Sequence, residues 1–227
     1  MIRGAILRIG IALLALALLQ TGCRKGEDDP FLSLRSRKAR LVADWNLDSW
    51  SESYPVMYSG VVYPHEIQLN SNELSEQYPF RFATNPDSVV TFNYTGVLND
   101  TKFEIKEDGR FQFQVVYVQS GSTPDGSSFT RTRNFSVSGT WSFLDGVGEF
   151  RNKERVQFQI ENSVRSIEGP FPYFLAESGI GRDQPLVLTL KELRATKVVA
   201  EGETLLSWLG LDAETNPLGT IQLELSR

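Results

Sequence analysis

The sequence has one cysteine, one histidine and two methionines in 227 residues. A single cysteine excludes an internal disulfide, so packing alone has to hold the folded chain together. One cysteine and one histidine are too few to complete a zinc or copper site. The common nucleophile and base pairs of hydrolases cannot be assembled from them either. We therefore expect no metal site, no cofactor and no enzyme activity built on these groups.

An excess of positive charge is also missing. The formal net charge is -5, and it becomes -7 when Arg3 and Arg8 are removed with the N-terminal leader described next. An acidic protein offers no positive field to a phosphate backbone. The composition therefore argues against a nucleic-acid partner.

Long apolar runs are absent except for residues 9–19, which follow Arg3 and Arg8 and precede Gly22 and Cys23. This is the layout of a secretory leader, and the run is too short to span a bilayer comfortably. The sequence Leu-Gln-Thr-Gly-Cys resembles a bacterial lipobox, in which a small residue precedes a cysteine that receives diacylglycerol. We predict a signal peptide over residues 1–22 and lipidation of Cys23, which makes the membrane a partner. An ordinary leader with a chance cysteine is the alternative.

Residues 23–30 form a short charged segment that ends in a proline, and nothing in it can pack. We interpret it as a flexible tether between the lipid and the domain. Its acidic residues Glu27, Asp28 and Asp29 resemble the surface-export signal of some Gram-negative lipoproteins, and a solvated linker is the alternative. The predicted location is the outer membrane, lipid-anchored, with the domain at the cell surface if the signal interpretation holds.

Alternation of apolar and polar residues dominates the remaining chain, residues 31–227. It is clearest over residues 131–144, where one face carries Phe135, Val137, Gly139, Trp141 and Phe143. A period of two is typical of a half-buried antiparallel strand. Similar segments recur about eight to ten times along the chain, and a meander of that size removes its edges by closing into a barrel. The predicted fold is all-β, with residues 31–40 closing one end and with Trp45 and Trp141 in the core.

Two stretches lack this alternation and are interpreted as loops. Residues 71–88 are polar, whereas residues 169–184 combine aromatic residues with prolines and glycines. Because loops are mostly polar and lie on the surface, we predict that the second stretch forms the rim of whatever the protein binds. It can do so as a lid or as an exposed patch, and an Ω-loop packed on its own side chains is the alternative. The predicted rim residues are Trp50, Tyr54, Phe171, Tyr173 and Phe174.

The only histidine, His65, falls on an apolar position of a predicted strand. With no second histidine or free cysteine to complete a metal site, we interpret it as a hydrogen-bonded core or rim residue. Pro64 beside it removes a backbone donor, so this strand is expected to lie at an edge or a bulge.

Several segments together resemble a known group of proteins. They are residues 29–41 (DPFLSLRSRKARL), Trp45, the strand with Gly139-Thr140-Trp141, and Lys153-Glu154-Arg155. In these the chain resembles the lipocalin-like lipoproteins of uncharacterised function found in Gram-negative bacteria. The resemblance implies an up-and-down β-barrel with a cup at one end, and it brings no catalytic residues. Ala43-Asp44-Trp45 stands where lipocalins have a Gly-x-Trp motif.

Two classes of function compete for such a fold. The cup of an eight-to-ten-stranded barrel can hold one small apolar ligand. A filled barrel would instead present its loops to other envelope proteins, and the many inward Phe and Trp residues favour this interpretation. Both are non-enzymatic. The alternative is a barrel enzyme that acts on an extracellular glycan or a small ligand through a pair of Asp or Glu carboxylates.

Overall fold

The structure is a computed structural model that describes residues 36–82, 85–123, 125–144, 154–170, 172–178, 185–204 and 219–227. The predicted signal peptide (1–22) and the tether with Cys23 (23–30) lie outside these residues. The elements are α1 (Arg37–Leu41), β1 (Ala43–Tyr58), β2 (Val61–Asn70), β3 (Glu73–Phe82), β4 (Asn85–Ile105), β5 (Arg110–Ser122), β6 (Ser128–Leu144), β7 (Glu154–Glu168), β8 (Tyr173–Ser178), β9 (Leu186–Leu193), β10 (Lys197–Thr204) and β11 (Gly219–Ser226).

The all-β antiparallel meander is confirmed, with eleven strands in the described residues instead of eight to ten. Hydrogen bonding closes the sheet into a ring. At one end β1 pairs directly with β4, residues 43–45 against residues 105–103, and the ring there has eight strands. Further along, β2 and β3 lie between β1 and β4. We call the first the narrow end and the other the wide end.

Strand β7 changes its neighbour along its length. Its first residues, 154–158, pair with β9, whereas residues 162–167 pair with β8. The prediction that residues 169–184 form a loop is therefore wrong for residues 173–178, whose backbone extends the sheet from β7. The segment is a consecutive run, Phe174-Leu175-Ala176, without polar alternation, and such a run forms a short strand when a neighbouring strand is present.

The prediction that residues 71–88 form a loop is also wrong. They contain β3 and the start of β4, which pair with each other from Glu73 to Phe82. The inner face of β3 carries Leu74 and then Glu76, and both are buried. A buried carboxylate breaks the apolar pattern on which the recognition of a strand depends. As the sequence indicated, Pro64 lies where pairing is incomplete, since β2 pairs with β3 only from Glu66 onward.

Aromatic and aliphatic side chains fill the narrow half of the ring. The Trp50 ring stacks on Phe113 with centroids 5.0 Å apart, and Phe103 lies 5.3 Å from Phe113 and 5.7 Å from Phe158. Trp45 is 2% exposed and Trp141 is 7% exposed, which confirms both as core residues.

The short helix α1 lies at the narrow end, as expected for this part of the predicted closing segment, whose residues 31–35 lie outside the described residues. Ser36 caps α1 by accepting a hydrogen bond from the backbone N–H of Ala39. Leu41 is buried, and its carbonyl accepts a hydrogen bond of 2.8 Å from Trp45 Nε1. The cation that lies over Trp45 is Arg227 at the C-terminal end of the chain, 4.5 Å from the ring.

Gly139 allows β6 and β7 to approach each other where β7 contains a bulge. A Cβ atom at position 139 would lie 1.9 Å from the carbonyl oxygen of Gln159. Any side chain would therefore separate the two strands, and Trp141, two residues later, fills the space under the same face. A glycine within a strand is typical of such a close approach between two backbones.

Candidate functional site

Buried charges lie on the inner face of the ring between its middle and its wide end. Glu76 Oε1 lies 3.0 Å from His65 Nε2, and Glu76 Oε2 lies 2.9 Å from Arg133 Nη1. The Gln119 side-chain amide donates a third hydrogen bond to Glu76 Oε2. All four side chains are buried. We call His65, Glu76, Gln119 and Arg133 the charge cluster.

Strand alternation brings these four residues together from distant parts of the chain. Each lies two positions from a core residue on its own strand: His65 from Ile67, Glu76 from Leu74, Gln119 from Tyr117 and Arg133 from Phe135. Residues two apart on a strand point to the same side of the sheet. The charge cluster therefore lies on the same inner face as the core, next to it on the side of the wide end.

The charge cluster holds Glu76 in its ionised form. Burial alone would raise the pKa of this carboxyl, but the Arg133 guanidinium, His65 and Gln119 outweigh burial and lower the pKa to about 2. An ionised carboxylate can only accept hydrogen bonds. His65 Nε2–H is therefore the donor of the 3.0 Å hydrogen bond to Glu76 Oε1.

Tyr117 and Glu52 adjoin the charge cluster. Tyr117 is fully buried, and its burial raises the pKa of the phenol to about 12. The Arg133 guanidinium lies 5.7 Å from the Tyr117 ring, and Glu52 is 2% exposed. The interior at this level therefore combines fixed charges with aromatic surface.

A series of aromatic rings leads from the charge cluster to the wide end. Neighbouring centroids along it, from His65 outward, are 5.1 to 6.5 Å apart. Its members are half-buried, and we call them the aromatic row: Tyr78, Phe80, Phe92, Tyr94 and Phe129.

The aromatic row belongs to the inner face of the ring. Tyr78 and Phe80 are in phase with Glu76 on β3, and Phe129 is in phase with Arg133 on β6. Gly121 on β5 makes room for the row, because a Cβ atom there would lie 2.3 Å from Tyr94 Cδ1. Five half-exposed rings thus line one side of the interior, between the charge cluster and the wide end.

Arg131 lies between the aromatic row and the charge cluster. Its guanidinium is 4.9 Å from the Phe129 ring and 5.8 Å from the Tyr94 ring. Its Nε donates a hydrogen bond of 2.7 Å to Gln119 Oε1. Burial, followed by the charge of Arg133, lowers the pKa of Arg131.

The structure separates the residues that the sequence analysis proposed as a rim. Trp50 is 1% exposed in the core, and Tyr54 is buried, with its ring 6.4 Å from His65 at the inner end of the aromatic row. Phe174 on β8 is 70% exposed. The backbone of Tyr173 belongs to β8, and Phe171 lies outside the described residues. Among the described side chains of this set, Tyr54 is the one whose ring lies beside the charge cluster.

The sequence analysis missed Arg131, Arg133, Glu76 and Gln119 as site residues. A signal for the two arginines is present, because they continue the inward phase of Phe135 and Val137 on the most regular strand of the chain. Charged residues in an apolar phase indicate a buried ion pair or a ligand site. For Glu76, the polar residues around it prevented β3 from being recognised in the sequence. The inward-facing positions of that strand could therefore not be assigned.

Other sites are less developed. Among residues whose positions are described, no group of three His, Cys, Asp or Glu side chains could hold a metal ion. A cavity of about 260 Å³ lies on the outer face, between β1, β2 and β11, and is lined mainly by Ser, Gln and Asn residues. No helix in the described ranges is both long and apolar enough to cross a membrane.

No protein-family model, curated protein or solved structure matches the chain.

Proposed function

We propose that this protein is a non-enzymatic, lipid-anchored binding protein of the cell envelope with a lipocalin-like barrel. It binds a small, largely apolar molecule, which enters through the wide end and packs against the aromatic row. The observation that carries the proposal is the row itself: five rings on the inner face that remain half-exposed above a buried charge cluster.

Exposed aromatic surface on an inner face is a reason to expect a ligand. Apolar area that leaves water contributes about 25 cal/mol per Å², and aromatic rings offer large, stiff contact areas at a low cost in entropy. Ligand sites are typically apolar walls with a few fixed polar groups. The aromatic row supplies such a wall, and the charge cluster supplies the polar groups. The filled narrow half restricts the ligand to the wide half.

The proposed location depends on the N-terminal segment of the sequence. The leader, the lipobox-like residues before Cys23 and the charged tether support export and attachment to the outer membrane. Within the described residues, α1 lies at the narrow end, which is the other end of the ring from the aromatic row.

The alternative, a carboxylate-based glycan hydrolase, receives less support from the site. Such enzymes need one carboxyl that stays protonated near neutral pH, which requires a raised pKa. The pKa of Glu76 is instead lowered to about 2, and its oxygens accept bonds from Arg133, His65 and Gln119. This environment suits a fixed anion that orients its neighbours. We therefore assign Glu76 a structural part in a binding site.

The test uses N-phenyl-1-naphthylamine, an uncharged aromatic molecule that fluoresces in apolar surroundings. The purified protein should bind it saturably at one site per chain. A Phe80→Ala/Phe92→Ala double variant removes two neighbouring rings of the row, 6.0 Å apart, and should raise the Kd roughly tenfold or more. The matched control is Val62→Ala/Val97→Ala, which trims two exposed side chains on the outer faces of β2 and β4 and should leave the Kd unchanged. Absence of saturable binding, or equal Kd values for the two double variants, would contradict the proposal.

A further inference from the structure

Arg131 differs from the other arginines of the interior in what surrounds its charge. Within the described ranges, its guanidinium has one hydrogen-bond acceptor, Gln119 Oε1, and two aromatic neighbours, and it forms no ion pair with a carboxylate. Arg133, two residues later, is paired with Glu76. Arg131 is only half-buried, whereas Arg133 is buried. Among the described residues, the Arg131 guanidinium is therefore partly exposed and has no carboxylate of its own, since Glu76 is already paired with Arg133.

The described charges of this half of the interior do not cancel. The inner face carries the three guanidinium groups of Arg131, Arg133 and Arg165, and Arg165 lies 5.3 Å from the Phe135 ring. Against them stand the two buried carboxylates, Glu52 and Glu76. Among the described residues, the inner face of this half therefore carries three guanidinium groups against two carboxylates, in a chain whose net charge is -5.

A partly desolvated guanidinium without a counter-charge is costly, and an anion beside it offsets that cost. The guanidinium plane presents five N–H donors in a fork that matches an oxyanion in a bidentate way. In Arg131 one of these donors, Nε, is already bonded to Gln119. No acceptor in the described part of the chain engages the terminal nitrogens, whose donors can serve a ligand, and the rings of Tyr94 and Phe129 restrict the motion of the group.

We infer that Arg131 binds the anionic end of the ligand, so that the site selects amphipathic anions. Such a ligand has an apolar or aromatic body that contacts the aromatic row and one carboxylate, sulfonate or similar oxyanion at Arg131. This inference rests on the proposed function and adds the class of ligand and the residue that selects it. Gln119 is the positioning residue, because its amide bonds Glu76 on one side and Arg131 on the other.

The test compares two probes that share one ring system. 1-Anilinonaphthalene-8-sulfonate carries a sulfonate, and N-phenyl-1-naphthylamine has the same rings without it. The wild-type protein should bind the sulfonate roughly tenfold or more tightly than the neutral probe. Arg131→Gln should raise the Kd of the sulfonate roughly ten- to hundredfold and leave that of the neutral probe within about twofold. The control Arg110→Gln removes an exposed arginine of β5 and should change neither Kd.

Arg131→Lys provides a second variant if Arg131→Gln does not fold. It keeps the cation and loses the planar fork, so it should weaken sulfonate binding severalfold and spare the neutral probe. Equal Kd values for the two probes in wild type, or an unchanged sulfonate Kd in the folded variants, would overturn the inference and leave the proposed function standing. Failure of both probes to bind saturably would overturn both proposals.

Discussion

Arg133 Nη1 lies 2.9 Å from Glu76 Oε2, and both side chains are buried inside the ring. Removing one partner of such a pair leaves an uncompensated charge in the interior. We expect Arg133→Met to lower the free energy of unfolding by about 3–5 kcal/mol, as measured by urea denaturation. The double variant Glu76→Gln/Arg133→Met should recover part of this loss, because the two residues are directly coupled.

The control for this prediction is an ion pair on the outer face. Lys102 Nζ lies 3.1 Å from Glu104 Oε2 in an exposed pair, and exposed pairs contribute little to stability. Lys102→Met should therefore unfold at nearly the wild-type urea concentration. An equally small effect of Arg133→Met would show that the buried pair does not stabilise the ring.

Low pH should lower the free energy of unfolding over a pH range that is set by the pKa of Glu76. The pKa of this carboxyl is about 2 in the folded chain, against an ordinary value of 4.5. Because the folded pKa is the lower one, the stabilisation is fully present above pH 4.5 and is lost as the pH falls toward 2. The full effect is on the order of 3 kcal/mol, and about 2 kcal/mol of it should be lost by pH 3.

The measurement compares wild type with Glu76→Gln by urea denaturation at pH 7 and pH 3. Carboxylates common to both proteins cancel in the difference, so the gap between them should narrow by about 2 kcal/mol at pH 3. A gap of the same size at both pH values would mean that Arg133, His65 and Gln119 do not hold Glu76 ionised.

Gly139→Ala should destabilise the fold although it adds only one methyl group. The new Cβ would meet the Gln159 carbonyl oxygen at 1.9 Å, so β6 and β7 would have to separate. Overpacking in a core costs about 1–3 kcal/mol, and a clash with backbone should reach at least the top of that range. Thermal melting followed by circular dichroism measures it, with Ser138→Ala on the outer face as the control. Identical melting temperatures for the two variants would contradict the close approach.

Lipidation of Cys23 is tested in cells. Cys23→Ala, expressed with its leader intact, should move from the membrane fraction to the soluble envelope fraction, because the thiol that accepts diacylglycerol is absent. Thr21→Ala, two residues away, should stay in the membrane fraction with wild type. Membrane retention of Cys23→Ala would show that the chain is attached in some other way.

Strand segments whose inner residues are apolar could be predicted from the sequence. Phe135, Val137 and Trp141 on β6 lie on one buried face, as expected, and so do Val156 and Phe158 on β7. Their alternation is local, so a short window is sufficient to find it. The same alternation predicted the antiparallel meander and the buried position of Trp45, and the structure confirms both.

The site could not be predicted in the same way, because its partners are remote in sequence. Glu76 is bonded to residues that are 11, 43 and 57 positions away. No local pattern distinguishes a carboxylate that will find these partners from one that points to solvent. The register that brings them together depends on the insertion of β2 and β3 between β1 and β4, a long-range pairing. Strand β3 was missed for a local reason, because Glu76 follows Leu74 on its inner face and breaks the apolar pattern.

Both ends of the described chain meet at the narrow end. Arg227 Nη2 donates hydrogen bonds to the carbonyl oxygens of Arg40 and Val42, at 3.1 and 2.7 Å. A force applied through the N-terminal segment therefore acts first on α1, whose Arg40 is bonded to the Leu193 carbonyl and whose Arg37 lies 2.9 Å from Glu154. These attachments are all far from the aromatic row. A load or an immobilising attachment at the narrow end therefore acts on these contacts and leaves those of the wide end in place.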